Sequence, residues 1–295
     1  MVEDATKGRG EDAPIAEVGV VGLGRMGLPL ARHLATAGYR VLGCEPSAEA
    51  RAAAEPFATP LETPADVGRA ADLALVVVAT DEQAVEVCRG ADGLLRDARP
   101  GLIVCICSSV LPETAIGLDQ PVRKAGGALL DLPMTNGVRA AEAGTLTLLA
   151  GGEAEVLERA RPALASFSKA IHHLGPVGAG QTAKMVNNLL LWANLTACAE
   201  ALGFGKAQGL EPRALQAALA DCSSSSWVLA ELARIQPTWP AKDLKQALAV
   251  ADSLGAELPL VRCVAEQIGN YDRPALDRLL ESPKDNPEKA ERKRT

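Results

Sequence analysis

The run "GLGRMG" sets Gly22, Gly24 and Gly27 at Gly-x-Gly-x-x-Gly spacing, directly after the apolar "VGVV" and at the head of "LPLARHLATAG". Each glycine has a separate task in a dinucleotide seat. Gly22 permits the tight turn, Gly24 lets backbone approach a pyrophosphate, and Gly27 lets helix and strand pack closely. The helix N-terminus then faces the phosphates with unpaired N–H groups and its positive dipole end, and Arg25 and Met26 are the side chains of the same loop. The triplet alone can also mark a plain strand-to-helix turn. Glu45 weighs against that reading. It ends the second apolar run "YRVLGC", 23 residues beyond Gly22, where a carboxylate accepts bonds from the adenosine ribose diol and repels a 2′-phosphate. The expected cofactor is NAD, with NADP as the open alternative; the rival role for Glu45 is a solvent-facing charge at a strand end.

The elements that must position this loop follow from hydrophobic periodicity. From Ile15 to Leu149 short apolar runs ("IAEVGVV", "RVLGC", "LALVVVA", "LIVCIC", "ALLDL", "LTLLA") alternate with Ala- and Leu-rich segments such as "DEQAVEVCRGADGLL". Continuous apolar runs suit parallel strands buried on both faces, and their alternation with helices suits βαβ units. After "HHLGPVGAGQ" the chain turns to helix formers, and "TAKMVNNLLLWANLTACAEALGFGKAQG" continues from Thr182 without a proline, long enough to join two domains. Further helices are expected over "EPRALQAALADC", "SWVLAELARI", "KDLKQALAVADSLG" and "PLVRCVAEQIGN". The fold class is therefore α/β: an N-terminal Rossmann-type doubly wound sheet, then an all-α domain, joined by a long interdomain helix. The expected boundaries are 1–13 for a disordered lead-in, 14–176 for the dinucleotide-binding domain, 177–282 for the helical substrate and dimerisation domain, and 283–295 for a charged disordered tail.

Composition excludes several classes. A net charge of −7 disfavours nonspecific nucleic-acid binding, which needs clustered Lys and Arg. No apolar run reaches the roughly 18 residues a membrane span needs, and the first residues, "MVEDATKGRGEDAP", lack the apolar core of a signal peptide. The seven cysteines form no Cys-x-x-Cys pair and have only three histidines to help them, so no metal site is expected. Their apolar surroundings point to reduced core residues of a cytoplasmic protein.

Beyond the glycine loop, four more blocks occur in order: "CSSVLPET" at Cys107, "DLPMTNGVRAAEAGTLTLLAGG" at Asp131, "GPVGAGQTAKMVNNLLL" at Gly175 and "AKDLKQAL" at Ala241. With the loop they resemble the β-hydroxyacid dehydrogenase family, which includes 3-hydroxyisobutyrate dehydrogenases and tartronate semialdehyde reductases, and the likeness spans nearly all the chain between its tails. The resemblance implies hydride transfer between a nicotinamide and a small anionic hydroxy acid or its semialdehyde, at a cleft between the two domains of a homodimer or higher homo-oligomer. It makes Lys184 the catalytic lysine. The chemistry agrees: oxidising an alcohol requires removal of the hydroxyl proton, and a lysine can take it when desolvation or a nearby positive charge favours its neutral form. Asn188, one helical turn on, is expected to hold the substrate beside it, while Asn187 is the better candidate for a helix–helix bond. The resemblance also brings Ser109 to the nicotinamide and substrate, Thr135, Asn136 and Gly137 to the substrate carboxylate, and Lys242, followed by Asp243, to the cofactor.

The chain departs from the family pattern where Thr135, Asn136 and Gly137 stand in place of Ser-Gly-Gly. Asn136 adds a side chain and changes the pocket, unless it simply occupies a left-handed turn, which Asn tolerates well. Trp227 and Trp239 are candidates for the pocket lining, although core packing is the commoner fate of each, and the serines of "DCSSSSW" also suit a helix cap. Three alternatives stand beside the leading reading: an imine reductase, in which the lysine is usually replaced; a noncatalytic dinucleotide-binding protein; and a phosphosugar dehydrogenase, which needs a basic cluster in the helical domain.

Overall fold

The computed structural model describes residues 14–282 of the 295-residue chain. The two expected tails, 1–13 and 283–295, lie outside the described residues. Nine strands follow one another as β1 (Glu17–Val21), β2 (Arg40–Cys44), β3 (Thr59–Leu61), β4 (Leu73–Val76), β5 (Ile103–Ile106), β6 (Ala128–Asp131), β7 (Met134–Thr135), β8 (Leu146–Gly151) and β9 (Ser168–Gly175). The helices between them are α1 (Gly27–Thr36), α2 (Ala48–Ala54), α3 (Pro64–Ala70), α4 (Asp81–Arg89), α5 (Pro112–Lys124), α6 (Gly137–Ala143) and α7 (Ala154–Leu164). The chain continues as α8 (Ala179–Ala207), α9 (Pro212–Leu219), α10 (Trp227–Glu231), α11 (Pro240–Ser253), α12 (Pro259–Gln267), a 3₁₀ turn (Ile268–Asn270) and α13 (Arg273–Leu280). It divides into two compact units between Lys184 and Met185, within α8.

In the first unit the strand order is β3-β2-β1-β4-β5-β6-β8-β7, with β9 on β8. The first six are parallel, and the order reverses direction between β1 and β4. At such a switch point the loops leaving two adjacent strands diverge and open a crevice at their carboxyl ends, the place where open α/β sheets bind ligands. The apolar runs are continuous because both faces are covered. Val18, Val20, Leu73, Leu75, Ile103 and Cys105 pack into one cluster with Leu30 and Leu34 of α1. Their neighbours Val21, Ala74, Val76, Val104 and Ile106 pack into another with Val67 of α3 and Leu118 of α5.

Three strands were not foreseen, each for a physical reason. β3 contains Pro60 and is tolerated only because it ends the sheet, and β7 has only two residues. β9 carries "SKAIHHLG" with much of its length solvent-facing, so it lacks the apolar run that marks a buried strand.

The second unit is all-helical. On α8, Trp192, Leu195, Ala199 and Leu202 recur at steps of three and four, forming a stripe that packs with Val228, Leu232, Leu244, Val264 and Leu276. Helix α13 was also not foreseen. Asp272 caps it by accepting from the Ala275 N–H at 2.8 Å, and Arg273 ties it back to the carbonyls of Leu232 and Ile235 at 2.9 and 3.0 Å. No helix among the described residues is long and apolar enough to cross a membrane.

Candidate active site

The glycine loop leaves β1 and enters α1 at the switch point. Gly22 has φ +94°, and a Cβ on it would collide with the Val77 carbonyl oxygen beyond β4; a Cβ on Gly27 would collide with the Gly22 carbonyl. A Cβ on Gly24 would meet nothing within 4 Å. Two glycines are therefore demanded by packing, whereas Gly24 faces open space and leaves its backbone approachable. Arg25 is exposed and Met26 half-buried against the core. Beside the loop opens a cavity of about 490 Å³ whose lining includes Gly24, Arg25, Ser47 and Phe57.

Glu45 is not a free strand-end charge. One carboxylate oxygen accepts from the Leu23 N–H at 2.8 Å and the other from the Ser47 N–H at 2.9 Å, so it fastens the glycine loop to the head of α2. Each oxygen keeps a lone-pair direction for a ribose hydroxyl. The residues present thus fit a dinucleotide: a bare-backbone turn at a helix N-terminus and a carboxylate held beside it.

After β5 the two serines divide their tasks. Ser108 is buried; its hydroxyl accepts from the Val78 N–H at 2.8 Å and so holds the β4 loop that carries Val77. Ser109 is exposed. Gln181 of α8 spans it, donating to the Ser108 carbonyl at 2.8 Å and accepting from the Val110 N–H at 3.2 Å. Lys184, half-buried, follows one turn later on α8. The same helix begins three residues before the apolar pattern suggested, because Asp131 at the end of β6 accepts from the N–H groups of Gly178 and Gln181 at 2.8 and 2.7 Å. Asp131 is fully buried, and burial pushes its carboxyl above the usual range, against those amide bonds. Neither Asp131 nor Gln181 was among the expected site residues; a lone acid in the apolar run "ALLDL" was the available signal.

Thr135 and Asn136 meet over Thr147 of β8. The Thr135 hydroxyl donates to the Thr147 carbonyl at 3.1 Å, and Asn136 Nδ2 donates to Thr147 Oγ1 at 3.2 Å. Asn136 does occupy a left-handed turn, with φ +74°, and Gly137 follows with φ +71°. The left-handed backbone accounts for an Asn here, and the bond to Thr147 gives its side chain a fixed place.

In the second unit the helix–helix bond expected of Asn187 is made by its neighbour. Asn188 makes the helix–helix bond, its Nδ2 donating to Asp243 Oδ2 at 3.0 Å, while Asn187 Nδ2 donates to Asn188 Oδ1 at 3.2 Å. Asp243 Oδ2 also accepts from Trp192 Nε1 at 3.0 Å. The reason is angular: Asn188 lies on the same side of α8 as Trp192, four residues on, and that side packs against α11. Lys242, half-buried, precedes Asp243 on the first turn of α11. Trp227 and Trp239 are exposed, which overturns core packing for both, and Ser226 caps α10 by accepting from the Leu229 N–H at 3.1 Å.

The cysteines divide by burial. Cys44, Cys88, Cys105 and Cys107 are buried, and burial pushes the Cys88 and Cys107 thiols up to about 12. Cys222 and Cys263 are exposed, so the expectation of seven core cysteines fails for these two. Among the described residues no cluster of His, Cys, Asp and Glu could hold a metal ion.

Residues 17–175 match the NAD binding domain of 6-phosphogluconate dehydrogenase, and residues 178–276 match the NAD-binding domain of NADP-dependent 3-hydroxyisobutyrate dehydrogenase. The 3-hydroxyisobutyrate dehydrogenase of Pseudomonas aeruginosa is 33% identical over 269 residues, 83% of this chain and 89% of that enzyme. The chain belongs to the β-hydroxyacid dehydrogenase family. As a member of it, the protein is an NAD(P)-dependent oxidoreductase of small hydroxy acids. An NAD-dependent L-serine dehydrogenase of the same bacterium is 35% identical over 226 residues, 76% of this chain and 74% of that enzyme. The Mycobacterium tuberculosis 3-hydroxyisobutyrate dehydrogenase, solved with L-serine, is 27% identical with a TM-score of 0.80, covering 91% of this chain and 100% of that one.

Proposed function

We propose that this β-hydroxyacid dehydrogenase prefers NAD and oxidises a short 3-hydroxy acid carrying a polar group, with Lys184 as general acid and base. When bound, the cofactor supplies hydride acceptance at its nicotinamide. Gly22, Gly24 and Gly27, with the amides of Arg25 and Met26, would hold the pyrophosphate, and Glu45 would accept from the ribose diol. Lys184 Nζ takes the substrate's hydroxyl proton in oxidation and returns it to the same oxygen in reduction. Asn188 orients that oxygen, Ser109 serves nicotinamide and substrate together, and Thr135, Asn136 and Gly137 receive the carboxylate end. Lys242 is assigned to the cofactor from its family block.

The observation that carries this reading is the Gln181 bridge. It fastens the helix turn before Lys184 to the backbone on both sides of exposed Ser109. Lys184, one turn beyond that bridge on α8, belongs to the same compact unit as the glycine loop. The relatives named for L-serine and 3-hydroxyisobutyrate support a compact 3-hydroxy acid, and the Asn136 amide favours one with a polar head. We assign the enzyme to the reducing cytoplasm, since all seven cysteines are free thiols, and to a homo-oligomer, since Leu190 and Phe204 of α8 are exposed.

The deciding experiment compares wild type with Lys184→Ala, using NAD⁺ and a panel of 3-hydroxy acids that includes L-serine and 3-hydroxyisobutyrate. The variant is expected to bind NADH as wild type does and to lose turnover by about 10²- to 10⁴-fold. Undiminished turnover rejects Lys184 as the proton-transfer group.

A further inference from the structure

The start of α8, a helix of 29 residues, is held by two buried polar side chains. Asp131, 0% exposed, satisfies two of the N–H groups that a helix start leaves unpaired, and places negative charge at the positive end of the helix dipole. The fit leaves no slack. A Cβ on Gly151 would collide with the Asp131 carboxylate, and one on Gly180 would lie 2.8 Å from it.

Gln181, 1% exposed, then uses its two ends on the two sides of one residue. Its Nε2 donates to the carbonyl before Ser109 and its Oε1 accepts from the amide after it. A side chain of equal volume without polar atoms would fill the space and leave both backbone groups unpaired. A carboxamide does more than fill: it ties the backbone on both sides of Ser109 to α8, three residues before Lys184. Ser108 extends the tie to Val78, and so to the β4 loop on which Gly22 rests.

We propose that Gln181 is a positioning residue for proton transfer, its carboxamide holding Lys184 in register with the Ser109 loop while Asp131 anchors the turn from below. The inference rests on Lys184 being the proton-transfer group. Displacements of about 1 Å at a reacting centre cost up to about 100-fold in rate, so such a register has kinetic weight.

The test uses the full chain, NAD⁺ and whichever of L-serine and 3-hydroxyisobutyrate turns over faster, with Lys184→Ala, Gln181→Met and the double variant. Gln181→Met is expected to lower kcat by about 10- to 100-fold while the NADH Kd stays within about threefold. The double variant is expected to be no slower than Lys184→Ala alone, because a residue acting through Lys184 has nothing left to position. Losses that multiply in the double variant, or a folded Gln181→Met with wild-type kcat, overturn the proposal.

Gln181→Glu provides a second reading should the Met variant fail to fold. A protonated carboxyl reproduces both bonds of the carboxamide, and burial favours that form, so its kcat relative to wild type is expected to climb as pH falls. A flat ratio overturns the proposal. Unchanged turnover in Lys184→Ala removes the base assignment and this inference together, whereas a dead Lys184→Ala with an inert Gln181→Met removes this inference alone.

Discussion

Asn188 and Asp243, 55 residues apart in the chain, are joined by a 3.0 Å hydrogen bond from the carboxamide of one to the carboxylate of the other. With Asn187 donating to its oxygen, the Asn188 amide has both its orientation and its identity of ends determined. These two bonds use one N–H and one lone pair of the amide; the proposed substrate contact would use the others. The same Asp243 oxygen holds the Trp192 indole, so the residue proposed to orient substrate and a core anchor of the helical unit share one acceptor.

Removing that acceptor therefore has two effects. Asp243→Ala is expected to lower stability by about 1 to 3 kcal/mol through the two orphaned donors, and to reduce kcat/KM by about tenfold as Asn188 loses its fixed orientation. Asp243→Asn keeps a carbonyl acceptor and is expected to lie between. Thermal melts and steady-state kinetics on the same preparations check both effects, and an unchanged kcat/KM for the alanine variant contradicts the positioning of Asn188.

Glu45, which ties the glycine loop to the head of α2, is the residue proposed to set cofactor choice. Glu45→Gln retains an acceptor oxygen for one of the Leu23 and Ser47 amides but removes the charge facing a 2′-phosphate. The Kd ratio of NADPH to NADH is expected to move toward NADPH by about tenfold, equivalent to ~1.4 kcal/mol. Titration of nucleotide fluorescence measures it, and an unmoved ratio dissociates Glu45 from selectivity.

The three glycines of the loop differ in what surrounds them: Gly22 and Gly27 are closely packed, and Gly24 is open. Gly22→Ala combines a positive φ with a collision at the Val77 carbonyl and is expected to lose about 2 kcal/mol or more of stability. Gly24→Ala meets no neighbour, so its melting temperature is expected to hold while NADH binding weakens at least about tenfold, as its methyl group enters the space left for phosphate. Equal NADH affinity in a well-folded Gly24→Ala variant speaks against pyrophosphate at that amide.

Asp131 makes stability depend on pH. Burial raises its carboxyl pKa in the folded chain, so the folded state binds that proton more tightly than the unfolded state does. Its contribution is complete below the ordinary aspartate range near about pH 4 and is lost as pH climbs through the raised folded value. The melting-temperature advantage of wild type over Asp131→Asn is accordingly expected to shrink as pH rises across that window. An advantage that grows instead shows that the amide bonds outweigh burial.

The cysteines show where composition misled. Their apolar neighbours suggested seven core thiols, yet Cys222 and Cys263 are exposed, because "apolar neighbour in sequence" becomes "buried" only on the face a helix turns inward. Trp227 and Trp239 fail for the same reason, while Trp192 at a stripe position is buried.

The sequence by itself determined the parts whose signals are local. The glycine spacing demands a strand-to-helix turn, the doubly covered apolar runs demand a parallel sheet, and the periodicity of the later segments demands helices, since each depends on residues within a few positions of one another. Tertiary structure alone decided what those parts hold against one another: Gln181 on Ser108 across 73 residues, Asp131 on the head of α8 across 50, and Asn188 on Asp243 across 55. Such pairings leave no periodic trace, because a single polar side chain finds its partner only after the packing of apolar faces has chosen which residues become neighbours.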